Sequence, residues 1–239
     1  MSLPFFYIEV VSQIDNIVAL NEENSRHIVQ VLRMVTGKIL NLTDGLGTVY
    51  TAEIVEAHKK KCTVKIINIS KQTAPAKKVC IAISPVKNSS RFEWFLEKAT
   101  EIGVKEIVPL ICERTEKQYL KYDRLRAILI SAMLQSQQAW LPVLCEPVKF
   151  EKFVEENKSN HKFIAHCKEQ NKISLKDITG QLTNKIINQS TILIGPEGDF
   201  SKEEIAIALQ NNFTPVSLGH TRLRTETAAM VAATLLCVN

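Results

Sequence analysis

Apolar and polar residues alternate over short stretches in the first third of the chain. The alternation is clearest at residues 63–66, where every second side chain is apolar, as in a strand that buries one face. The turn at residues 44–47 contains Gly45 and Gly47, which readily adopt the positive φ that a hairpin requires. The pattern predicts a small barrel, with strands at residues 5–11, 38–43, 48–57 and 62–69 around one helix at residues 22–34.

From residue 79 onward, apolar strands alternate with helices. This alternation predicts an α/β fold with a mostly parallel sheet, in which ligands bind at the carboxyl ends of the strands. Segment 71–78, with Pro75 between lysines, has linker composition, so we predict two domains, residues 1–72 and 73–239. The predicted strands are 79–84, 106–111, 162–166, 191–194 and 215–218, and the predicted helices are 91–102, 122–139, 150–156, 202–211 and 226–238. Residues 167–190 show no clear pattern.

The strongest local signal is the passage from strand to helix at residues 192–201. Ser201 and Glu204 match an S-x-x-E capping box, and Phe200 with Ile205 matches a hydrophobic staple. These features predict that the start of the helix is firmly fixed. The loop before the helix is therefore expected to be rigid.

The same loop has the composition of a ligand-binding segment. Gly195 and Gly198 allow the backbone to approach a ligand closely. Glu197 and Asp199 place carboxylates where the charge of a phosphate would lie, so we expect a neutral or partly cationic ligand. An ordinary tight connection between strand and helix is the alternative.

A second loop joins a strand to a helix at residues 217–228. Thr225 is a plausible N-cap of that helix. Arg222 and Arg224 lie just before it, where the helix dipole favours anions rather than cations. This placement indicates a functional role, unless the two arginines pair with Glu197 or Glu226.

The composition is that of an ordinary globular protein. Of the 239 residues, 45% are hydrophobic and 23% are charged, and the net charge of +5 permits binding to nucleic acid without requiring it. No stretch reaches the about 18 to 20 apolar residues that a membrane helix needs, and the first residues lack the pattern of a signal peptide. We therefore expect a cytoplasmic protein with no membrane partner.

The six cysteines are widely scattered along the chain, and the five histidines are equally dispersed. The cysteines form no C-x-x-C pair and no cluster with histidine, which argues against a zinc site. We predict buried free thiols and no bound metal.

Weak motifs occur in a fixed order over nearly the whole chain. The last of them are Ile194-Gly195-Pro196-Glu197-Gly198, Leu218-Gly219 and Leu223-Arg224-Thr225-Glu226-Thr227-Ala228. The earlier ones are His27-Ile28-Val29-Gln30-Val31-Leu32-Arg33, Gly37, Asp44-Gly45 and Lys98-Ala99-Thr100-Glu101-Ile102-Gly103-Val104, followed by Ile107, Pro109, Arg114, Gln135-Ser136 and Pro142. Together they resemble the RsmE family, the 16S rRNA uracil N3 methyltransferases of the SPOUT superfamily.

The resemblance implies the fold, the cofactor and the partners. The expected fold is an α/β SPOUT-type parallel sheet with a C-terminal trefoil knot, preceded by a small PUA-like β-barrel that binds RNA. The expected cofactor is S-adenosyl-L-methionine, and the expected substrate is 16S ribosomal RNA, within the small ribosomal subunit. A homodimer with each active site near the interface is also implied. Asp199 stands where the family usually has a third glycine, which aspartate tolerates if its backbone is left-handed.

The resemblance also suggests roles for individual residues. The residues expected to wrap the cofactor, largely through their backbone, are Ile194, Gly195, Pro196, Glu197, Gly198, Leu218, Gly219, Leu223, Thr225, Glu226, Thr227 and Ala228. A guanidinium suits the anion that forms when the N3 proton of uracil leaves, so the catalytic candidates are Arg224, Arg114 and Arg91. The candidates for RNA binding in the barrel are Arg26, His27 and Arg33.

Two other classes of function stay open. One is a SPOUT methyltransferase with a different target, ribose 2′-O or guanine N1. The other is a non-catalytic RNA-binding or assembly factor, against which the intact glycine loops argue. A nicotinamide oxidoreductase is disfavoured because no G-x-G-x-x-G follows the first strand of the α/β domain.

Overall fold

The computed structural model describes residues 3–9, 16–168, 171–181 and 189–238. The chain forms two compact units, one of residues 1–74 with 133–141 and one of residues 75–132 with 142–239. The predicted division at residues 72 and 73 assigns segment 133–141 to the second domain, whereas this segment packs with the first unit. Each unit has a sheet and a core of its own.

The first unit is built on a five-stranded sheet. Its strands are β1 (Phe5–Tyr7), β2 (Ile17–Ala19), β3 (Ile39–Thr43), β4 (Thr48–Glu56) and β5 (Thr63–Lys71), in the order β1-β3-β4-β5-β2. All neighbours are antiparallel except β1 and β3. The four predicted strands are present, but the first, predicted at residues 5–11, ends at Tyr7, and residues 10–11 lie outside the described residues. The short β2 was not predicted, and closure of the sheet into a barrel stays a prediction.

The helical segment of the first unit differs from the prediction. Helix α1 (Glu22–Arg26) continues directly into a π-helical segment (His27–Val31) that ends three residues before the predicted end. The amide of Leu32 donates to the carbonyl of His27 at 2.9 Å, which is the wider hydrogen bond of a π-helix. The helix cannot continue because Arg33 has a left-handed backbone, with φ of 52°.

The predicted turn between β3 and β4 is confirmed. Gly45 and Gly47 have φ of 73° and 90°. The side-chain Oδ1 of Asp44 accepts hydrogen bonds from the amides of Leu46 at 2.8 Å and Thr48 at 3.3 Å. The aspartate therefore holds the turn that the two glycines make possible.

We expect Gly47→Ala to destabilise the first unit by roughly 2–4 kcal/mol. An added Cβ would lie 2.2 Å from Cζ2 of Trp140, and the φ of +90° already disfavours any L side chain. Gly37→Ala is the matched control, because its φ is +85° but the nearest atom, Oε1 of Glu53, lies 4.0 Å away. The control should cost only the backbone strain, about 1–2 kcal/mol. Urea denaturation measures both, and equal losses would show that crowding against Trp140 contributes nothing.

The second unit contains a parallel sheet, as the alternation of strands and helices predicts. Its strands are β6 (Lys78–Ile83), β7 (Glu106–Ile111), β8 (Val143–Leu144), β9 (Val148–Lys149), β10 (His161–Ala165), β11 (Ile173–Ser174), β12 (Gln189–Ile194) and β13 (Thr214–Ser217). Their order is β11-β13-β10-β12-β6-β7-β8, with β9 also paired to β7, and every pair is parallel. Strands β8, β9 and β11 have two residues each, which is too short for a recognisable pattern.

The helices after residue 75 follow the predictions closely. They are α2 (Ser89–Ile102), α3 (Tyr122–Gln135), α4 (Phe150–Glu156), α5 (Leu175–Gln181), α6 (Lys202–Gln210) and α7 (Thr225–Cys237). Gly103 ends α2 with φ of 92°, as a C-terminal glycine typically does. Helix α3 ends four residues earlier than predicted, near Gln137, whose φ is 57°. Helix α5 falls in the stretch where the sequence shows no clear pattern.

Candidate functional site

Three neighbouring strands end at the same level in the second unit. Ala165, the last residue of β10, pairs with Ile194 of β12 on one side and with Val216 of β13 on the other. The loops that follow these strands therefore begin side by side at the carboxyl edge of the sheet. The two glycine loops flank a third loop, after β10, to which the sequence assigned no role.

Two adjoining cavities open among these loops. The first, of about 390 Å³, is lined by residues from β10, from β13 and from the loop that follows each of them. The second, of about 360 Å³, extends along the Gly195 loop and the start of α7. Both volumes lie in the range of small-molecule sites, about 300–1,000 Å³. The residues that line both cavities are Ala165, Cys167, Arg222, Leu223 and Ala228.

Most of the predicted cofactor residues line one of these cavities. Those in the second cavity are Ile194, Gly195, Pro196, Glu197, Leu223, Thr225, Glu226 and Ala228. Those in the first cavity are Leu218, Gly219, Leu223 and Ala228. Gly198 and Thr227 line neither.

A side chain would be unfavourable at each glycine of the two loops, but for different structural reasons. A Cβ at Gly195 would lie 3.1 Å from the buried ring of Phe200, so this glycine makes room for a neighbour within the protein. A Cβ at Gly198 would lie 3.2 Å from Cδ of Arg114. At Gly219, in contrast, no atom of the described residues lies within 4 Å of a Cβ, but φ is +143°. Of these three glycines, Gly219 alone combines a conformation that favours glycine with open space beside it.

Asp199 connects the Gly195 loop to the loop after β10. Its backbone is left-handed, with φ of 63°, as expected for an aspartate at a glycine position. Its Oδ2 accepts from the amide of Cys167 at 2.9 Å, and its Oδ1 accepts from the amide of Phe200 at 2.9 Å. A glycine could not make these bonds, so in this chain the aspartate side chain joins the two loops.

The helix starts confirm one capping prediction and correct another. Oγ of Ser201 accepts from the amide of Glu204, and the Glu204 carboxylate accepts from the amide of Ser201, so the capping box is present. Thr225 is not an N-cap. The N-cap position belongs to Arg224, and Oγ1 of Thr225 donates to the carbonyl of Gly195 at 3.0 Å. The threonine thus connects the two glycine loops rather than capping α7.

The predicted alternative for the arginines of the second loop is wrong. Glu197 accepts a hydrogen bond from the amide of Lys87 at 3.0 Å, and Glu226 faces Arg91, with Oε1 and Nε 3.7 Å apart. Within the described residues, Arg222 and Arg224 have no hydrogen-bond or ion-pair partner. Both are exposed and line the cavities, so their guanidinium groups are available to a ligand.

The other two catalytic candidates are held by the protein. Arg91 lines the second cavity beside Glu226, with its side chain 42% exposed. Arg114 lines neither cavity, and its Nη1 donates to the carbonyl of Gly198 at 2.8 Å. Arg114 therefore braces the Gly195 loop from outside.

The loop after β10 contributes residues that the sequence did not identify. His166 and Lys172 line the first cavity, and Cys167 is exposed at both. His166 is 6% exposed, and burial lowers its pKa below the ordinary value. Lys172 donates from Nζ to the carbonyls of His166 at 2.8 Å and Lys168 at 3.0 Å. No local pattern could reveal these residues, because their role depends on the position of β10 between β12 and β13.

The candidate RNA-binding residues lie on the helical segment of the first unit. Arg26, His27 and Arg33 are all exposed. Arg26 pairs with Glu22 at 3.1 Å, and the ring of His27 packs edge-on against Phe6, with the ring centres 5.6 Å apart. Arg33 follows the segment and is itself the residue with the left-handed backbone.

All six cysteines are free thiols, and Cys62, Cys80 and Cys112 are buried, whereas Cys167 is exposed. In the described part of the chain, no three His, Cys, Asp or Glu side chains are grouped as a metal site requires. Within the same residues, no helix has the length and apolar character needed to cross a membrane.

The comparisons with known families cover both units. A family profile described as an RNA methyltransferase domain matches residues 72–237. A second profile, described as an RNA methyltransferase PUA domain, matches residues 20–67. The two matched segments are adjacent in the sequence and together account for most of the chain.

Relatives with solved structures are similar over almost their whole length. A probable rRNA-methyltransferase from Porphyromonas gingivalis is 38% identical, with a TM-score of 0.89 and coverage of 99% of both chains. A ribosomal RNA small subunit methyltransferase E from Neisseria gonorrhoeae, bound to S-adenosyl methionine, is 26% identical, with a TM-score of 0.84, and the match covers 98% of this chain and 96% of that one. Among the curated relatives, the ribosomal RNA small subunit methyltransferase E of Synechocystis is 30% identical, and the match covers 92% of this chain and 72% of that protein.

Proposed function

Because this chain belongs to the family of ribosomal RNA small subunit methyltransferases E, we propose that it methylates N3 of a uridine in 16S ribosomal RNA. It is an S-adenosylmethionine-dependent enzyme with an RNA methyltransferase domain and a PUA domain. We further propose that residues 1–72 bind RNA and that residues 73–239 carry the cofactor site. The substrate would be the 16S RNA of the small ribosomal subunit, in the cytoplasm.

One observation carries the assignment of the site. The loops after β10, β12 and β13 meet at one edge of the parallel sheet, around two adjoining cavities. Arg222 and Arg224 lie in the walls of these cavities and have no partner among the described residues. The residues present fit the cofactor. Gly219 leaves open space at a backbone conformation that only glycine adopts readily. The buried ring of His166 has two nitrogens without a hydrogen-bond partner in the part of the chain that the structure describes. Loop backbone can thus surround a cofactor without crowding it.

When bound, S-adenosylmethionine supplies a methyl group that is already activated on a sulfonium. The protein must orient the uracil for in-line attack and stabilise the anion that remains when the N3 proton leaves. We propose that Arg224 holds this anion, because it lies at the second cavity and its guanidinium pairs with no group of the described residues. Arg91 and Arg114 would position the site, Arg91 through Glu226 and Arg114 through the carbonyl of Gly198.

We also propose that the last segment of the chain forms a trefoil knot. Helix α7 follows β13 but packs on α2, β6 and β12, so the chain crosses the edge of the sheet past β10. At this crossing, Thr225 donates a hydrogen bond to the carbonyl of Gly195. We also propose that the protein forms a homodimer with the site near its interface. Light scattering of the purified protein, which measures its mass in solution, tests the dimer.

Mass spectrometry of nucleosides tests the reaction. Small ribosomal subunits from cells without this protein are incubated with the protein and S-adenosylmethionine, and the 16S RNA is then digested. The proposal requires 3-methyluridine that depends on both protein and cofactor. A ribose-methylated nucleoside or 1-methylguanosine would instead identify a methyltransferase with another target, and no new nucleoside would support a non-catalytic factor.

The role of the first unit can be tested at Arg33. We expect Arg33→Ala to weaken RNA binding roughly three- to tenfold and to reduce the slope of log affinity against log salt by about 0.7 to 0.9, as loss of one phosphate contact does. Alanine and arginine have the same backbone strain at the left-handed position 33, so the free energy of unfolding should change little. Lys60→Ala, in the turn between β4 and β5, removes the same charge and serves as the control. Equal effects of the two variants would mean that only net charge matters.

A further inference from the structure

His166 is a buried polar side chain whose ring is not used by the described part of the protein. It follows β10 directly, in the middle of the three loops. It is 6% exposed, and within the described residues neither Nδ1 nor Nε2 has a hydrogen-bond partner. Buried polar groups without partners are costly and rare. Because His166 also lines the first cavity, a ligand bound there can supply the partner that the described residues do not.

The surroundings of this imidazole favour its neutral form. Burial lowers its pKa, the positive charges of Lys172 and Lys168 lower it further, and only Asp199 opposes them. Lys172 directs its ammonium to backbone carbonyls rather than to the ring. A neutral imidazole has one nitrogen that donates and one that accepts. Its natural partner is a neutral group that can also do both.

We propose that His166 positions the cofactor by hydrogen bonds from its neutral imidazole to the adenosine portion of S-adenosylmethionine. The proposal rests on the proposed function, which supplies the cofactor. Within that molecule, the carboxylate can pair only with the donating nitrogen, the ammonium can pair only with the accepting nitrogen, and the sulfonium has no hydrogen to donate, so no one of them matches both nitrogens. The ribose hydroxyls and the base edge of adenine both match. His166 would thus recognise adenosine through a side chain, whereas the glycine loops contribute backbone.

Substitutions at His166 separate this role from a structural one. His166→Phe keeps a ring but removes both nitrogens, so we expect S-adenosylmethionine to bind roughly three- to thirtyfold more weakly in calorimetry. The stability without cofactor should be unchanged or higher, because an unpaired buried polar group has been removed. His166→Gln restores a donor and an acceptor and should recover most of the affinity. His161→Phe, at the opposite end of β10, is the control and should leave binding unchanged.

The pH dependence of cofactor binding gives a second readout. Protonation of His166 would add a positive charge beside a cationic cofactor and remove the acceptor nitrogen, so affinity should fall as pH drops through its pKa. The charged groups that face the ring are Lys172, Lys168 and Asp199. His220 lines the same cavity, so the measurement is made in a His220→Gln background, which removes that imidazole from the cavity. There, His166→Gln should abolish the remaining pH dependence.

Analogues of S-adenosylhomocysteine identify the group that His166 contacts. If His166 contacts the ribose, the losses of affinity caused by a deoxyribose analogue and by His166→Phe should not add when the two changes are combined. If His166 contacts the base, an inosine analogue combined with His166→Phe should show this non-additivity instead. Binding of S-adenosylmethionine to the wild-type protein is the reference for interpreting a negative result. If it binds S-adenosylmethionine and His166→Phe binds equally well, the proposal for His166 is wrong and the proposed function stands. If the wild-type protein binds no S-adenosylmethionine, the proposed function itself fails.

Discussion

Gly219→Val should weaken the binding of S-adenosylmethionine at least about a hundredfold while leaving the protein folded. The backbone at Gly219 has φ of +143°, a region that a β-branched residue cannot occupy without severe strain. The loop must therefore refold locally, which displaces Leu218 and the residues that line the first cavity. Because no atom of the described residues lies within 4 Å of the added Cβ, the core is not crowded, and the loss of stability should be limited to the backbone strain, about 1–2 kcal/mol. Calorimetry and thermal unfolding measure the two effects.

Gly195→Val should behave differently, although both glycines lie in the candidate site. Its Cβ would press against the ring of Phe200, so we expect a loss of stability of about 1–3 kcal/mol together with the loss of cofactor binding. Gly180→Val, in α5, is the control for both variants, since its Cβ would meet nothing within 4 Å and its φ is ordinary. If Gly219→Val binds the cofactor as well as Gly180→Val does, the Gly219 loop is not part of the cofactor site.

Local interactions in the second unit were predictable because their causes lie within a few residues. The capping box of Ser201 and Glu204 and the glycine that ends α2 each depend on neighbours in the sequence, and both are present. The parallel sheet follows from the alternation of strands and helices alone. The left-handed backbone of Asp199 could be anticipated because a family resemblance places a glycine there.

What the sequence could not supply depends on contacts between distant segments. The position of β10 between β12 and β13 brings His166 to the cavity, and no periodicity encodes strand order. For the same reason the sequence predicts a cap at Thr225, whereas its hydroxyl donates to the carbonyl of Gly195, 30 residues earlier. The sequence likewise places segment 133–141 in the second domain, because the association of this segment with the first unit leaves no local signal.

Arg224→Lys should reduce the single-turnover rate of methylation roughly a hundred- to thousandfold, which corresponds to about 3 to 4 kcal/mol of transition-state stabilisation. Arg224 is exposed at the second cavity, and no group in the described part of the chain pairs with it. Lysine keeps the charge but lacks the planar fork of donors that matches a delocalised anion. Because the anion develops only during the reaction, the loss should fall on turnover rather than on cofactor affinity. A higher pH should partly rescue the variant, since the uracil then loses its N3 proton without help.

Arg222→Lys provides the competing comparison, because Arg222 is also unpaired among the described residues and lines both cavities. If Arg224 stabilises the anion, Arg222→Lys should change the rate much less and should show no comparable rescue by pH. A near-normal single-turnover rate for Arg224→Lys, with a large loss for Arg222→Lys, would move the catalytic role to Arg222. Arg114→Lys should instead lower cofactor affinity together with the rate, because Arg114 acts through its hydrogen bond to the carbonyl of Gly198. The ratio of these two losses therefore distinguishes a residue that contacts the base from one that only braces the loop.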